Sequence, residues 1–162
     1  NYRLDFYETA DIKKILERSA RILKINIDSR ALDALAQSSR YTPRIANRLL
    51  KRARDFAQVQ KEKEITAVLA GQTLKMLDID DKGLESTDIK ILRSVIDKFG
   101  GGPVGLKAIA ASIAEEEETI EDVYEPYLMQ IGFLARTSRG RVATRLAFEH
   151  LGLKPSEQNT LL

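Results

Sequence analysis

The chain has 162 residues, 43% hydrophobic and 31% charged, with a formal net charge of +2, the balance of one ordinary folded domain or two small ones rather than a disordered chain. It contains no cysteine and a single histidine, His150, which excludes disulfides, thiolate metal sites and any His-based catalytic or zinc cluster. No apolar run reaches the ~18 residues of a bilayer span and no signal-peptide pattern opens the chain, so a cytoplasmic protein without membrane association is expected.

Charge is sorted along the chain. Residues 1–78 carry 16 Lys+Arg against 10 Asp+Glu, and residues 79–162 carry 10 against 14. This shift predicts two units, over 1–78 and 79–152, followed by a loose tail over 153–162.

In the first unit, "TADIKKILERSARIL" sets Ile12, Ile15, Leu16, Ala20 and Leu23 on one helical stripe, with Thr9 as its expected cap. Asp28 or Ser29 is placed to cap "RALDALAQSS". "TPRIANRLLKRARDFAQV" has Thr42 at the N-cap, Pro43 at the first helical position and Ile45, Leu49, Ala53 and Phe56 along one side. A fourth helix, "TAVLAGQTLKML", ends before the linker "DIDDKG". Four short amphipathic helices with brief connections predict a small bundle.

In the second unit, "STDIKILRSVIDKF" predicts a helix with Ile89, Leu92, Val95, Ile96 and Phe99 inward, and "GGGPVG" stops it. "LKAIAASIA" and "TIEDVYEPYLMQIG" give two more helices, "FLARTSRGRVAT" two short strands around a Ser-Arg-Gly turn, and "RLAFEHLG" a last helix. The expected fold is mostly α: a small helical bundle followed by a winged helix-turn-helix domain with a two-stranded wing.

The wing segment "RTSRGRVATR" holds four arginines and no acid, whereas "EEEETIEDVYE" just upstream holds seven acids and no base. With a four-residue loop from Thr137 to Gly140, Arg136 and Arg141 face each other across the strands, where like charges repel. An anion between them, with Arg139 at the tip, would complement them, and phosphate suits guanidinium geometry; a solvated hairpin is the alternative. On this reading, removing both arginines leaves folding intact or slightly improved. The third helix carries Glu121, Asp122 and Glu125 in its first turns and Pro126 after them, a poor surface for a major groove. Contact through the wing alone would be to backbone and blind to sequence. Glu115–Glu118 reads as a solvated helix start, and no carboxylate pair suits acid–base chemistry.

Arg44 lies in the first turn of its helix, where the macrodipole disfavours a cation and favours an anion. It is either a ligand for an anion seated on the free N–H groups of that helix end or a surface arginine paired with a nearby acid. His150, near the end of the last helix, is expected to pack beside Phe148 or Leu151 in a structural role.

The segments "TPRIANRLLKRARDFAQV" and "FGGGPVGLKAIAASIAEEEETIEDVYEPYLMQIGFLARTSRGRVAT" resemble the second and third domains of the RuvB family, AAA+ motors of Holliday-junction branch migration. The likeness runs from "LDFY" to "HLG", and "GGPVGL", "EPYL" and "GFLARTSRGR" are its most specific motifs. It implies an AAA+ lid joined to a winged helix, without the P-loop ATPase domain; no G-x-x-x-x-G-K-[ST] occurs. By the same resemblance, Arg44 and Tyr7 contact nucleotide from the lid, and Arg136 and Arg141, with Arg139 a weaker correspondence, contact DNA. ATP and Mg2+ would belong to the parent protein, a homohexamer acting with RuvA and RuvC, while this piece would be an inactive monomer binding no nucleotide tightly. The other reading is a non-enzymatic winged-helix adaptor or regulator-like module. Two departures from the family pattern bear on geometry. Tyr41 stands where the family usually has glycine, a strained choice if that position needs positive φ, and Ser138 replaces a usual proline.

Overall fold

Helical periodicity in the first unit resolves into α1 (Thr9–Ile22), α2 (Ser29–Gln37), α3 (Pro43–Val59) and α4 (Ala67–Met76) in a computed structural model that describes residues 7–154. Each helix buries one stripe. Ile12, Leu16 and Ala20 of α1 meet Leu32, Leu35 and Ala36 of α2, Leu49, Leu50 and Ala53 of α3, and Leu69, Ala70 and Leu74 of α4 in a single core. The alanines keep the helices close, and the leucines fill the space between them.

Caps differ in part from the sequence reading. Thr9 is already helical, and Glu8 is the N-cap of α1, without a side-chain cap bond. Asp28 caps α2 as expected, accepting the Ala31 N–H at 2.6 Å. Its other carboxylate oxygen accepts the Ala67 N–H at 3.0 Å, so one side chain serves the starts of two helices. A parallel pair, β1 (Asn26–Ile27) with β2 (Glu64–Ile65), brings those starts together. Two-residue strands carry no alternation for sequence reasoning to find.

Between α2 and α3 the chain turns tightly. Ser38 and Ser39 are buried, and Arg40 and Tyr41 both have φ of 53°, the left-handed region in which a Cβ costs about 1–2 kcal/mol per residue. Ile79 belongs to the first core, and Asp80 Oδ1 accepts the N–H groups of Lys82 and Leu84, each at 2.8 Å. The two compact units accordingly divide between Glu85 and Ser86.

The second unit begins with α5 (Ser86–Arg93), which runs into a π-helical turn over Ser94–Lys98. Ile91, Leu92, Val95 and Ile96 are buried, while Ile89 and Phe99 are only half-buried. After the glycine-rich segment come α6 (Leu106–Ile113) and α7 (Glu117–Thr119), then a second π turn over Ile120–Tyr124, and α8 (Glu125–Gln130). The sequence predicts an unbroken third helix. Pro126 has no N–H to return and its ring crowds the carbonyl four residues earlier, so the turn before it widens. Of the run Glu115–Glu118, read as solvated, Glu116, Glu117 and Glu118 are exposed and Glu115 is half-buried.

The wing is β3 (Leu134–Thr137) antiparallel to β4 (Gly140–Ala143), with Arg136 opposite Arg141 and Thr137 opposite Gly140. The loop is therefore two residues, Ser138 and Arg139, rather than four. The Thr137 hydroxyl closes it, donating to the Gly140 carbonyl at 2.9 Å and accepting the Arg139 N–H at 3.2 Å. "GGGPVG" does more than stop a helix. The Val104 N–H donates to the Arg141 carbonyl at 2.9 Å, its carbonyl accepts the Arg141 N–H at 2.8 Å, and the Gly101 carbonyl accepts the Ala143 N–H at 2.9 Å. That approach requires Gly102 and Gly140, both at positive φ, because a Cβ on either would overlap the backbone of the facing strand. Last comes α9 (Arg145–His150). The His150 ring lies 4.9 Å from that of Phe133, tilted by 41°. Residues 155–162 of the expected tail lie outside the described residues.

Candidate nucleic-acid interface

The Arg141 N–H and carbonyl both point toward Val104, so Arg136 and Arg141 form a non-hydrogen-bonded cross-strand pair, the kind in which side chains come closest. Two like charges so placed need an anion. The chain itself supplies two: Glu121, in the π turn, and Glu125, at the start of α8, four residues apart and both turned toward the wing.

Glu125 is 3% exposed and Arg141 13%. Arg141 donates from Nε and Nη2 to the two oxygens of Glu125, each at 3.1 Å, the bidentate fork that gives guanidinium–carboxylate pairs their strength and direction. Arg136 is half-exposed. Its Nη2 bonds Glu121, its Nε lies 3.5 Å from Glu125, and Arg141 Nη2 is 3.6 Å from Glu121. The hydrogen bond that Arg136 donates to Glu121 holds its pKa above the ordinary value, with the charge of Glu125 adding to the effect.

This arrangement corrects two expectations. Facing arginines do not destabilise the wing, because two positive and two negative charges close into one network, so removing Arg141 strands a buried carboxylate instead of relieving repulsion. Glu121 and Glu125, read from sequence as groups that would push phosphate away, are the partners of the wing arginines. The signal was present in two acids at helical i, i+4 spacing before two facing arginines, but it becomes legible only once helix and wing are oriented.

Arg139 differs from both neighbours. It sits exposed at the tip, and among the described residues no acid pairs with it.

In the first unit, Arg44 is exposed on the first turn of α3, which contains no acid. Thr42 is the N-cap as expected, but its hydroxyl donates to the Arg40 carbonyl at 3.0 Å, so no side chain caps the helix. Backbone N–H groups and a guanidinium thus share one uncapped helix end, an arrangement that fits a phosphate. Arg48, Lys51 and Arg52 continue the cationic face along α3. Tyr7 is half-exposed just before α1. The conditional concern over Tyr41 is met, since it does take a left-handed conformation two residues before Pro43.

A four-helix bundle leading into helices and a glycine-docked two-stranded wing is the class of an AAA+ lid joined to a winged helix. Residues 7–80 match the family model of the RuvB AAA lid domain, and residues 81–152 match that of the RuvB C-terminal winged helix domain. The Holliday junction branch migration complex subunit RuvB of Dehalococcoides mccartyi is 56% identical over 152 residues, covering 94% of this chain and 44% of the relative. That of Synechocystis sp. is 54% identical over 153 residues, covering 94% and 42%. Among solved structures, the RuvB Holliday junction branch migration motor of Thermotoga maritima superposes with a TM-score of 0.88 at 47% identity, over 93% of this chain and 51% of that one. The chain belongs to the RuvB family and carries its lid and winged helix, spanning less than half the length of those two relatives.

Proposed function

We propose that this chain is the lid and DNA-gripping portion of an ATP-dependent motor that drives branch migration of Holliday junctions. The observation that carries the reading is the match of both units, end to end, to the two RuvB domains; an adaptor role fits that match less well. The parent is a cytoplasmic homohexamer that uses ATP and Mg2+ and works with RuvA and RuvC, whereas this piece is a monomer without ATPase activity of its own.

On the lid, Arg44 holds a nucleotide phosphate from the uncapped start of α3, and Tyr7 contacts the nucleotide from the start of α1. ATP supplies the phosphoanhydride whose state Arg44 senses. On the winged helix, Arg139 at the tip and Arg136 beside it grip the duplex backbone, and Arg141 is their anchor. Contact through the wing is to the backbone, so the grip follows phosphates and is indifferent to sequence. A motor that must pass every base pair requires that indifference.

A salt titration of binding to two unrelated duplexes tests the grip. Arg139→Ala should weaken both equally and lower the slope of log K against log salt by about 0.9, the loss of one phosphate contact. Unchanged affinity and slope would remove Arg139 from the DNA interface, and the same result with Arg136→Ala as well would remove the wing.

A further inference from the structure

The wing's charge network has a division of labour that the DNA-gripping reading does not by itself contain. Around Arg136, two carboxylates take different edges of the same guanidinium. Glu125 lies along the Nε edge, is buried, and is fixed by its fork to Arg141. Glu121 takes the Nη2 end, is 45% exposed, and comes from the π turn. The first carboxylate cannot leave without stranding Arg141, whereas the second can rotate into water at little cost, because an exposed pair is worth only a fraction of a kcal/mol to about 1 kcal/mol.

We propose that Glu121 is a positioning residue for the DNA grip: it holds the Nη end of Arg136 in place of a phosphate and is exchanged for one when DNA arrives, while Glu125 keeps the Nε edge anchored. The proposal rests on the wing being the DNA-contacting element. The exchange is conservative, since Glu121 meets Arg136 through one oxygen at Nη2, a place that a phosphate oxygen can take while Glu125 stays on the Nε edge. Arg136 is thus held in one orientation before binding, so ordering of a long flexible side chain opposes association less. The cost is competition, because each encounter at Arg136 must displace a tethered anion. Arg139, without such a partner, needs no exchange, and the two neighbouring arginines should respond differently to the same acid.

The test measures duplex affinity of the 162-residue chain for wild type, Glu121→Gln, Arg136→Ala and the double variant, with Glu118→Gln as a control for loss of a nearby charge. Thermal unfolding is followed alongside. Glu121→Gln should tighten binding by about threefold, the size expected from freeing one exposed pair. Glu118→Gln should fall well short of that, and Glu121→Gln should have no effect in the Arg136→Ala background, a coupling that only direct contact produces. Equal tightening by the two glutamine variants, or the same gain with and without Arg136, would reduce Glu121 to a surface charge and overturn the proposal. That failure is distinct from failure of the wing reading, in which Arg136→Ala and Arg139→Ala both leave affinity unchanged.

Discussion

Arg44 on the lid and Arg141 on the wing read alike in sequence, as arginines that could hold an anion, yet they occupy opposite electrostatic situations. Arg44 stands exposed on an uncapped helix start with no acid in its turn, whereas Arg141 is buried against Glu125 in a two-pronged bond. The first has no acid paired with it among the described residues. The second is complete already, and its neighbours Arg136 and Arg139 carry what remains available. A cation's role therefore follows from where its counter-charge resides, and a counter-charge 16 residues upstream is invisible until the helix that carries it is oriented against the strand.

The contrast can be broken most decisively at Arg141. Replacing it with alanine leaves the Glu125 carboxylate buried without its main partner, and the second unit should lose about 3 kcal/mol in urea unfolding followed by circular dichroism. A loss under 1 kcal/mol would mean that water reaches Glu125 and that the pair is a surface feature. Tyr41→Gly should act on the lid with the opposite sign and a smaller size. Relief of one left-handed non-glycine residue should raise lid stability by up to about 1 kcal/mol, read as a higher urea midpoint. A lower midpoint would show that the tyrosine ring contributes more than its backbone conformation costs. Arg44→Ala should change stability least, by less than about 0.5 kcal/mol, because the side chain is exposed and no described acid pairs with it. In the full-length parent the same substitution should lower ATP turnover roughly a hundredfold, the scale of losing a positioned charge at a reacting phosphate. Wild-type turnover would make Arg44 an ordinary surface residue.

How much was legible follows the range of the interactions. Helices α1 to α4 could be read because their apolar residues recur every three to four positions, and the cap of α2, Asp28, because it is local. The wing could be read because Gly140 and alternating residues mark a hairpin within ten positions. The second bond of Asp28, to an N–H 39 residues away, leaves no trace at that distance in a single sequence. The same holds for the docking of Val104 on β4. For the site, the exposed arginines Arg44 and Arg139 stood where their local chemistry put them. Glu125 was misread, since in sequence it is one more acid in an acidic helix, and only its burial separates it from Glu118.

Docking of Val104 has one more consequence. A two-stranded ribbon reaching out from a domain ordinarily offers two open edges, each a template on which another chain can zip. Here the outer side of β4 is occupied, with the N–H groups of Arg141 and Ala143 already taken. Among the described residues, no backbone bond is made to the outer edge of β3, which is four residues long with an arginine and a threonine on its exposed half. The wing is therefore a finished ribbon, able to project into solvent as a probe for a charged polymer without becoming a seam along which neighbouring copies stick.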